Sequence, residues 1–234
     1  MSRDAYFQTR FAHEPKRDVL WQTLCRYHFS RLISASDCVL ELGAGYGSFI
    51  NRVVAKRRIA VDAWEGFANY LDPQVEGHVG DVTDLSFLEP ASVDFVFASN
   101  LFEHISQEDF ASVLSQLKRA LAANGTLNIL QPNYYYAYRE YFDDYTHRTV
   151  YTHTSITDFL EAHGYDVIEC HPRFLPLTVK SRLPVSPALI RLYLSSPWKP
   201  LGKQMFLRAR LKTGRMAAGP ERSEDHHEAR DTDQ

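Results

Sequence analysis

The sequence predicts an α/β protein with a doubly wound, mostly parallel sheet of seven strands. Short apolar runs alternate along the chain with segments of helical periodicity, which is typical of parallel sheets covered by helices. Acidic residues stand at the ends of the first three apolar runs. The last two runs flank a proline-rich insert instead of a crossover helix, so the last strand is expected to run antiparallel to the others.

The composition favours one globular domain in a reducing compartment. The chain has 234 residues, of which 44% are hydrophobic and 24% charged, and its net charge of -3 gives no basis for a nucleic-acid partner. Three cysteines without CxxC spacing favour reduced thiols and a cytoplasmic protein. The N-terminal residues are too polar for a signal peptide, and no run approaches the roughly 20 apolar residues of a membrane-spanning helix.

The predicted elements follow this alternation in chain order. Strands are predicted at residues 38–42, 58–64, 75–81, 93–98, 126–130, 165–170 and 204–210. Helices are predicted at residues 15–33, 47–56, 65–71, 106–122, 154–163 and 187–194. We divide the chain into an N-terminal helical lid at 1–35, a main domain at 36–213 with an insert at 172–200, and a disordered tail at 214–234.

Local signals mark the ends of two of these helices. Ser106 with Asp109 is a capping-box pattern at the start of the fourth helix. Asn124 and Gly125 tolerate the left-handed conformation that ends helices, and Gly164 has the same role after the fifth.

A glycine-rich turn follows the first strand and predicts a nucleotide-like ligand. Gly43, Gly45 and Gly47 let the backbone approach such a ligand closely. A dinucleotide-binding fingerprint would place its third glycine where Ser48 stands. Glu41, two residues before the first glycine, suits a cationic amino group and disfavours a pyrophosphate.

Polar residues follow the next strands as well. Asp62 lies at the spacing where a carboxylate takes the ribose hydroxyls, Asp81 ends the third strand near an expected adenine, and Asn100 follows the fourth. The alternative is that such strand-end acids only cap helices or form turns. An amino group, a ribose and an adenine together describe S-adenosylmethionine.

The chain resembles the class I S-adenosylmethionine-dependent methyltransferases of the type 11/12 kind over residues 36–211. Five motifs in order carry the resemblance: ELGAGYG, AVDAW, GDVTD, DFVFASNLFEHI and LKRALAANGTLNI. The resemblance implies a seven-stranded Rossmann-like sheet with an antiparallel last strand, a methyltransferase domain at 36–213 and S-adenosylmethionine as cofactor. The cofactor-binding residues are then Glu41, Gly43, Gly45, Gly47, Asp62, Ala63, Asp81, Val82 and Asn100, while Trp64 either covers the nucleoside or packs.

Three residues are candidates for a catalytic base. Methyl transfer to a hydroxyl group requires removal of its proton. Glu103 and His104 follow Asn100 on the rim of the predicted crevice, although such a pair can also be structural. His147 lies in the run DDYTHR after the fifth strand, where the alternative is a capped turn. No spacing of ligands typical of a metal site is visible, so none is predicted.

A tyrosine-rich segment predicts where the acceptor binds. Seven tyrosines lie between residues 134 and 151, and tyrosine suits a sugar or an aromatic ring. The predicted acceptor-binding residues are Tyr135, Tyr138, Asp144 and Arg148. The alternative is a loop packed on the sheet edge. We expect O-methylation of a small or glycan-like acceptor, which could be lipid- or phosphate-linked.

The basic insert suggests a peripheral contact with the inner face of a membrane. Residues 171–220 contain ten Lys and Arg and no Asp or Glu, and a lid or a dimer contact is the alternative. Two other functions stay open: an NAD(P)-dependent oxidoreductase and a non-catalytic methyltransferase-like binding protein.

Overall fold

The computed structural model describes residues 14–176 and 186–212, which form one seven-stranded sheet with helices on both faces. The strands are β1 Cys38–Leu42, β2 Arg57–Asp62, β3 Glu76–Val79, β4 Val93–Ser99, β5 Leu121–Pro132, β6 Tyr165–Pro176 and β7 Gly202–Leu211. The α-helices are α1 Pro15–Tyr27, α2 Gln107–Ala120, α3 Tyr134–Ala137, α4 His153–Ala162 and α5 Pro187–Ser195. Short 3₁₀ helices occupy Phe29–Arg31, Glu65–Tyr70, Phe102–His104 and Tyr141–Asp143.

The strand order is β3-β2-β1-β4-β5-β7-β6. Strands β1 to β5 pair in parallel, whereas β7 pairs antiparallel with both β5 and β6. The predicted fold class is therefore confirmed, including the antiparallel last strand. The chain leaves β1 for β2 on one side and later returns to β4 on the other, so the carboxyl ends of β1 and β4 flank the crevice where α/β sheets bind ligands.

The predicted helix at residues 47–56 is wrong. The chain forms a series of turns over residues 45–52, closed by bonds such as the one from the Asn51 N–H to the Gly47 carbonyl (3.1 Å). Gly43, Gly45 and Gly47 all have positive φ angles, of 69°, 52° and 64°. A right-handed helix requires negative φ, so none can begin before Ser48.

The predicted helix end at Asn124-Gly125 is also wrong. Helix α2 ends at Ala120, and Leu121 already has the extended backbone of β5. Gly125 has no positive φ. A Cβ atom at this position would lie 2.7 Å from the Val93 carbonyl oxygen, so the glycine permits a close approach to β4 rather than a left-handed turn.

Other predicted elements have the right type but shifted ends. The capping box of Ser106 and Asp109 is present, and Gly164 ends α4 with φ 83°. Strand β6 continues to Pro176, so it includes the first residues of the predicted insert. Residues 177–185 of that insert, the first 13 residues of the predicted lid and the predicted tail lie outside the described residues.

Two apolar layers enclose the sheet. One face packs against α2 and α4 through Phe110, Leu117 and Ile156. The other face packs against α1, whose Trp21 contacts Phe49 and Phe97 at ring-centroid distances of 6.2 and 5.8 Å. Within the described ranges, no helix is both long and apolar enough to cross a membrane. These layers hold the carboxyl ends of the strands, and the loops that follow them, in fixed positions.

Candidate active site

Two buried carboxyl groups hold the glycine-rich turn. Glu41, in β1, accepts a hydrogen bond from the Ile50 N–H (3.0 Å) beyond the turn. Asp62, at the end of β2, accepts one bond from the Gly45 N–H and another from the Trp64 N–H, both at 2.8 Å. Asp62, the residue predicted to bind the ribose, therefore also fixes the shape of the turn. Its contact with a ribose stays a prediction.

The environment of Glu41 favours its uncharged form. Burial raises the pKa of this carboxyl well above its usual value, the Ile50 hydrogen bond opposes the rise, and the neighbouring Asp62 adds to it. An arriving cation would reverse this balance, because opposite charge favours the ionised carboxylate. The position therefore suits a ligand with a cationic group.

Three aromatic rings lie beside the turn. Trp64, Tyr46 and Tyr70 pack against one another: the Trp64 ring centroid lies 5.4 Å from that of Tyr46 and 5.6 Å from that of Tyr70, and the two tyrosines are 4.7 Å apart. Trp64 thus has the packing role that was one of its two predicted roles, and it forms part of a wall next to Asp62. Sequence reasoning missed Tyr46 and Tyr70, although Tyr46 lies inside the glycine motif.

The remaining predicted cofactor residues occupy different environments. Asp81 is exposed and accepts bonds from the Thr83 N–H (2.9 Å) and hydroxyl (2.8 Å), which is the turn-forming alternative for this residue. Val82 is buried in the core, and Ala63 directly follows Asp62. Asn100 has a positive φ of 50°, and its side-chain oxygen accepts a bond from Gln204 (3.0 Å).

The three candidate bases come together on two loops. The Arg148 and Thr149 N–H groups donate to the Glu103 carbonyl at 2.8 and 3.1 Å, which ties the tyrosine-rich segment to the loop after β4. The ring centroids of His104 and His147 are consequently only 4.9 Å apart. This juxtaposition joins two motifs that are distant in the chain.

Hydrogen bonds orient both imidazole rings. The Thr146 hydroxyl donates to Asp144 (2.6 Å), so its oxygen accepts the bond from His104 Nδ1 (3.0 Å). His147 Nδ1 donates to the Tyr141 carbonyl (2.6 Å). Each ring therefore carries its proton on Nδ1 and a lone pair on Nε2. Such a nitrogen can accept a proton or bind a metal ion.

The Glu103 carboxyl group is fully buried, and neither of its oxygens has a hydrogen-bond partner. Burial raises its pKa to about 8, and the Asp144 carboxylate adds to the rise. Burial also lowers the pKa of His104, as does the neighbouring His147. At neutral pH Glu103 is therefore mostly protonated and His104 uncharged.

The predicted acceptor-binding residues divide into two groups. Asp144 accepts hydrogen bonds from Thr146 and so belongs to the histidine cluster, which we define as Glu103, His104, Asp144, Thr146 and His147; Arg148 follows this cluster in the chain and is exposed. Tyr135 and Tyr138 lie on and directly after α3 and are 64% and 54% exposed. The structure brings Tyr135 against His153 (centroids 5.9 Å), not against the histidine cluster.

Not all the tyrosines of this segment are available to a ligand. Tyr141 and Tyr151 are buried, and the Tyr141 hydroxyl donates to the Thr149 carbonyl (2.5 Å). This part of the segment fits the alternative of a loop packed on the sheet. The exposed tyrosines are left as candidates for contact with an acceptor.

Sequence reasoning missed two buried amides at the carboxyl end of β5. Asn133 Nδ2 donates to the Pro172 carbonyl (2.9 Å) and lies 3.1 Å from His153 Nδ1. Gln131 is completely buried, and its amide nitrogen and oxygen have no hydrogen-bond partner. In the sequence, these two amides could have been recognised as polar residues that directly follow the apolar run of a central strand.

Comparison with protein families gives a match at residues 40–129, to the family described as "Methyltransferase domain". The matched interval includes the glycine-rich turn, Asp62, Asp81, Asn100 and the Glu103-His104 pair.

Two relatives from Schizosaccharomyces pombe match part of the chain. An uncharacterized methyltransferase-like protein is 32% identical over 105 residues, and an uncharacterized methyltransferase is 32% identical over 104 residues. Each match covers 42% of this chain, and the chain spans 40% of the length of these curated relatives.

Solved structures resemble more of the chain. A SAM-dependent methyltransferase from Archaeoglobus fulgidus superimposes with a TM-score of 0.64 at 20% identity, covering 91% of this chain and all (100%) of that one. The complex of the Trm112 methyltransferase activator with a methyltransferase from Haloferax volcanii matches with a TM-score of 0.62 at 16% identity, covering 91% and 94%.

A more distant match is geranyl diphosphate C-methyltransferase from Streptomyces coelicolor, in complex with Mg²⁺, geranyl diphosphate and S-adenosyl-L-homocysteine. Its TM-score is 0.54 at 12% identity, covering 77% of this chain and 72% of that one. At such identities the structural matches establish a shared fold.

Proposed function

We propose that the chain is a class I S-adenosylmethionine-dependent methyltransferase that transfers a methyl group from S-adenosylmethionine to an oxygen of a small or glycan-like acceptor; the match to the methyltransferase family model and the shared fold support this proposal. The observation that carries this proposal is the glycine-rich turn held between buried Glu41 and Asp62 at the crevice between β1 and β4.

The first half of the site is assigned to the methyl donor. Glu41 would receive the cationic amino group, since burial raises the pKa of this carboxyl and an opposite charge would favour its ionised form. The backbone of the turn approaches the methionine part, and Asp62 with Ala63 faces the ribose. Asp81 and Val82 would contact the adenine, and Asn100 would contact the sulfonium end. A dinucleotide would instead place its pyrophosphate near Glu41, which disfavours the oxidoreductase alternative.

The second half of the site is assigned to the acceptor. S-adenosylmethionine supplies a methyl group already activated by a positive sulfur. The protein must then align a hydroxyl group with it and take up the hydroxyl proton. His147 and His104 both present an Nε2 lone pair for that proton. Tyr135, Tyr138 and Arg148 would contact the rest of the acceptor.

Calorimetry tests the donor assignment. We expect S-adenosylhomocysteine to bind and NADH not to bind. Below the raised pKa of Glu41, binding should release a proton as the ammonium group of the ligand ionises this carboxyl. The proton appears as a dependence of the binding enthalpy on the ionisation enthalpy of the buffer. A Glu41→Gln variant should bind more weakly and release no proton. Tighter binding of NADH than of S-adenosylhomocysteine would overturn the proposal.

Turnover separates an enzyme from a binding protein. A screen of hydroxyl-bearing acceptors with radiolabelled S-adenosylmethionine should give labelled product whose methyl group is bound to oxygen. Label on nitrogen or carbon would refute O-methylation and keep the methyltransferase assignment. Binding of the donor without transfer to any acceptor would favour the non-catalytic alternative.

We also propose that the interval 172–200 contacts an anionic membrane surface. In its described part, Leu192 of α5 is 68% exposed and Trp198 is 75% exposed. Exposed tryptophan and leucine among basic residues are typical of interfacial segments. We expect the protein to sediment with phosphatidylglycerol-containing vesicles and a Leu192→Glu/Trp198→Ala variant to remain in the supernatant. Equal sedimentation of both proteins would exclude this surface.

A further inference from the structure

We propose that Glu103, His104 and His147 form a binding site for a divalent transition-metal ion, with Zn²⁺ the best match to the ligands. Each residue offers one donor atom, and these atoms all lie within 4.8 Å of one another. Two imidazoles and one carboxylate are a known ligand set for zinc, and imidazole disfavours Mg²⁺ and Ca²⁺. The sequence predicted no metal site, because His147 joins the other two residues only in the fold.

The orientation of the two histidines supports this inference. Histidine ligands in proteins usually donate their second ring N–H to a carbonyl or carboxylate, which fixes the ring. His147 Nδ1 donates to the Tyr141 carbonyl (2.6 Å), and His104 Nδ1 donates to Thr146 (3.0 Å), which in turn donates to Asp144. Both rings thus have the outer hydrogen bonds expected of metal ligands, and each carries its lone pair on Nε2.

Glu103 supplies the second, independent observation. Its side chain is completely buried, and neither carboxyl oxygen has a hydrogen-bond partner. A buried polar group without partners is costly and requires an explanation. A bound cation would provide the missing partner and would explain why this carboxyl lies against two oriented imidazoles.

The geometry requires a small inward movement. Metal–ligand bonds of about 2.1 Å place tetrahedral ligands about 3.4 Å apart, so the distances between the donor atoms must shorten by up to about 1.4 Å. Three protein ligands leave at least one coordination position open, as in catalytic zinc sites. If the proposed function holds, an acceptor hydroxyl in that position would lose its proton to solvent more readily, and the two Nε2 atoms would then bind the ion instead of acting as bases. Binding of the ion itself does not depend on methyl transfer.

Titration of chelator-treated protein with ZnCl₂ tests the site directly. We expect one equivalent to bind in calorimetry, and Co²⁺ to give the visible absorption of a low-coordinate site. Glu103→Gln, His104→Ala and His147→Ala should each weaken Zn²⁺ binding by about 100-fold or more, beyond the 10–100-fold typical of outer-shell partners. Thr146→Val should weaken it by about tenfold.

His171→Gln is the matched control. His171 and Glu169 form a surface pair 2.7 Å apart but belong to no group of three donors within the described residues. This variant should bind Zn²⁺ like the wild-type protein. Glu103→Gln preserves the side-chain shape, and S-adenosylhomocysteine binding verifies that each variant is folded. Wild-type protein that binds no Zn²⁺, or folded Glu103→Gln and His147→Ala variants that bind it equally well, would overturn the inference.

Discussion

An Asp62→Ala variant is expected to bind S-adenosylhomocysteine at least about 100-fold more weakly than the wild-type protein and to be less stable. The substitution removes the acceptor of two buried backbone bonds, from Gly45 and Trp64, both 2.8 Å long. Each unpaired buried N–H costs about 1–3 kcal/mol, so the loss of two partners should lower the free energy of unfolding by about 2–6 kcal/mol. Calorimetry and urea denaturation measure the two effects.

Two further variants separate the role in the turn from the role in binding. Asp62→Asn keeps one acceptor oxygen and should have intermediate stability. Asp84→Ala removes a surface turn bond to the Ser86 N–H (3.1 Å) and should change neither quantity. If Asp62→Ala bound S-adenosylhomocysteine as tightly as the wild-type protein, our assignment of Asp62 to the ribose and to holding the glycine-rich turn in its binding shape would be refuted.

A His147→Ala variant is expected to lower kcat by about 10²- to 10⁴-fold, the range of a lost general acid–base contribution. The affinity for S-adenosylhomocysteine should change by less than about twofold, because His147 lies on the acceptor side, with its ring 4.9 Å from His104. Single-turnover rates with an acceptor identified by the screen would measure the loss.

His163→Ala is a matched control for this experiment. His163 Nδ1 also donates to a backbone carbonyl, that of Phe159 (2.7 Å), but it lies at the end of α4 outside the cluster. It should leave kcat unchanged. Unchanged kcat in His147→Ala would show that neither proton transfer nor metal binding by this side chain limits turnover.

Local chemistry in the sequence was enough to predict most of the sheet and the polar residues at the carboxyl ends of its strands. Central parallel strands are buried on both faces, so they appear in the sequence as continuous apolar runs. Asp62 ends one of these runs and Asn100 directly follows another, which is why their positions could be predicted. The capping box of Ser106 and Asp109 was equally local. These features depend on residues that are near one another in the chain.

The features that sequence reasoning missed depend on contacts between distant segments. Gly125 looked like a helix terminator, but the nearby Val93 carbonyl decides its role. The pairing of His104 with His147 depends on two backbone bonds to the Glu103 carbonyl, and backbone bonds leave no pattern in side-chain types. That the Glu103 carboxyl oxygens are buried without hydrogen-bond partners becomes visible only in the folded structure.

The position of β7 has a consequence for the order in which the protein can assemble. Strand β6 reaches the sheet only through β7, the last of the seven strands in chain order. The first residues of β7 also complete the carboxyl edge of the parallel strands, since the Gln204 side chain donates to Asn100 and the Lys203 carbonyl accepts a bond from the Asn133 N–H. During synthesis, β1 to β5 can pair before β7 emerges, whereas this edge is finished only after it. Until then, β5 presents an unpaired strand edge to chaperones and to other nascent chains.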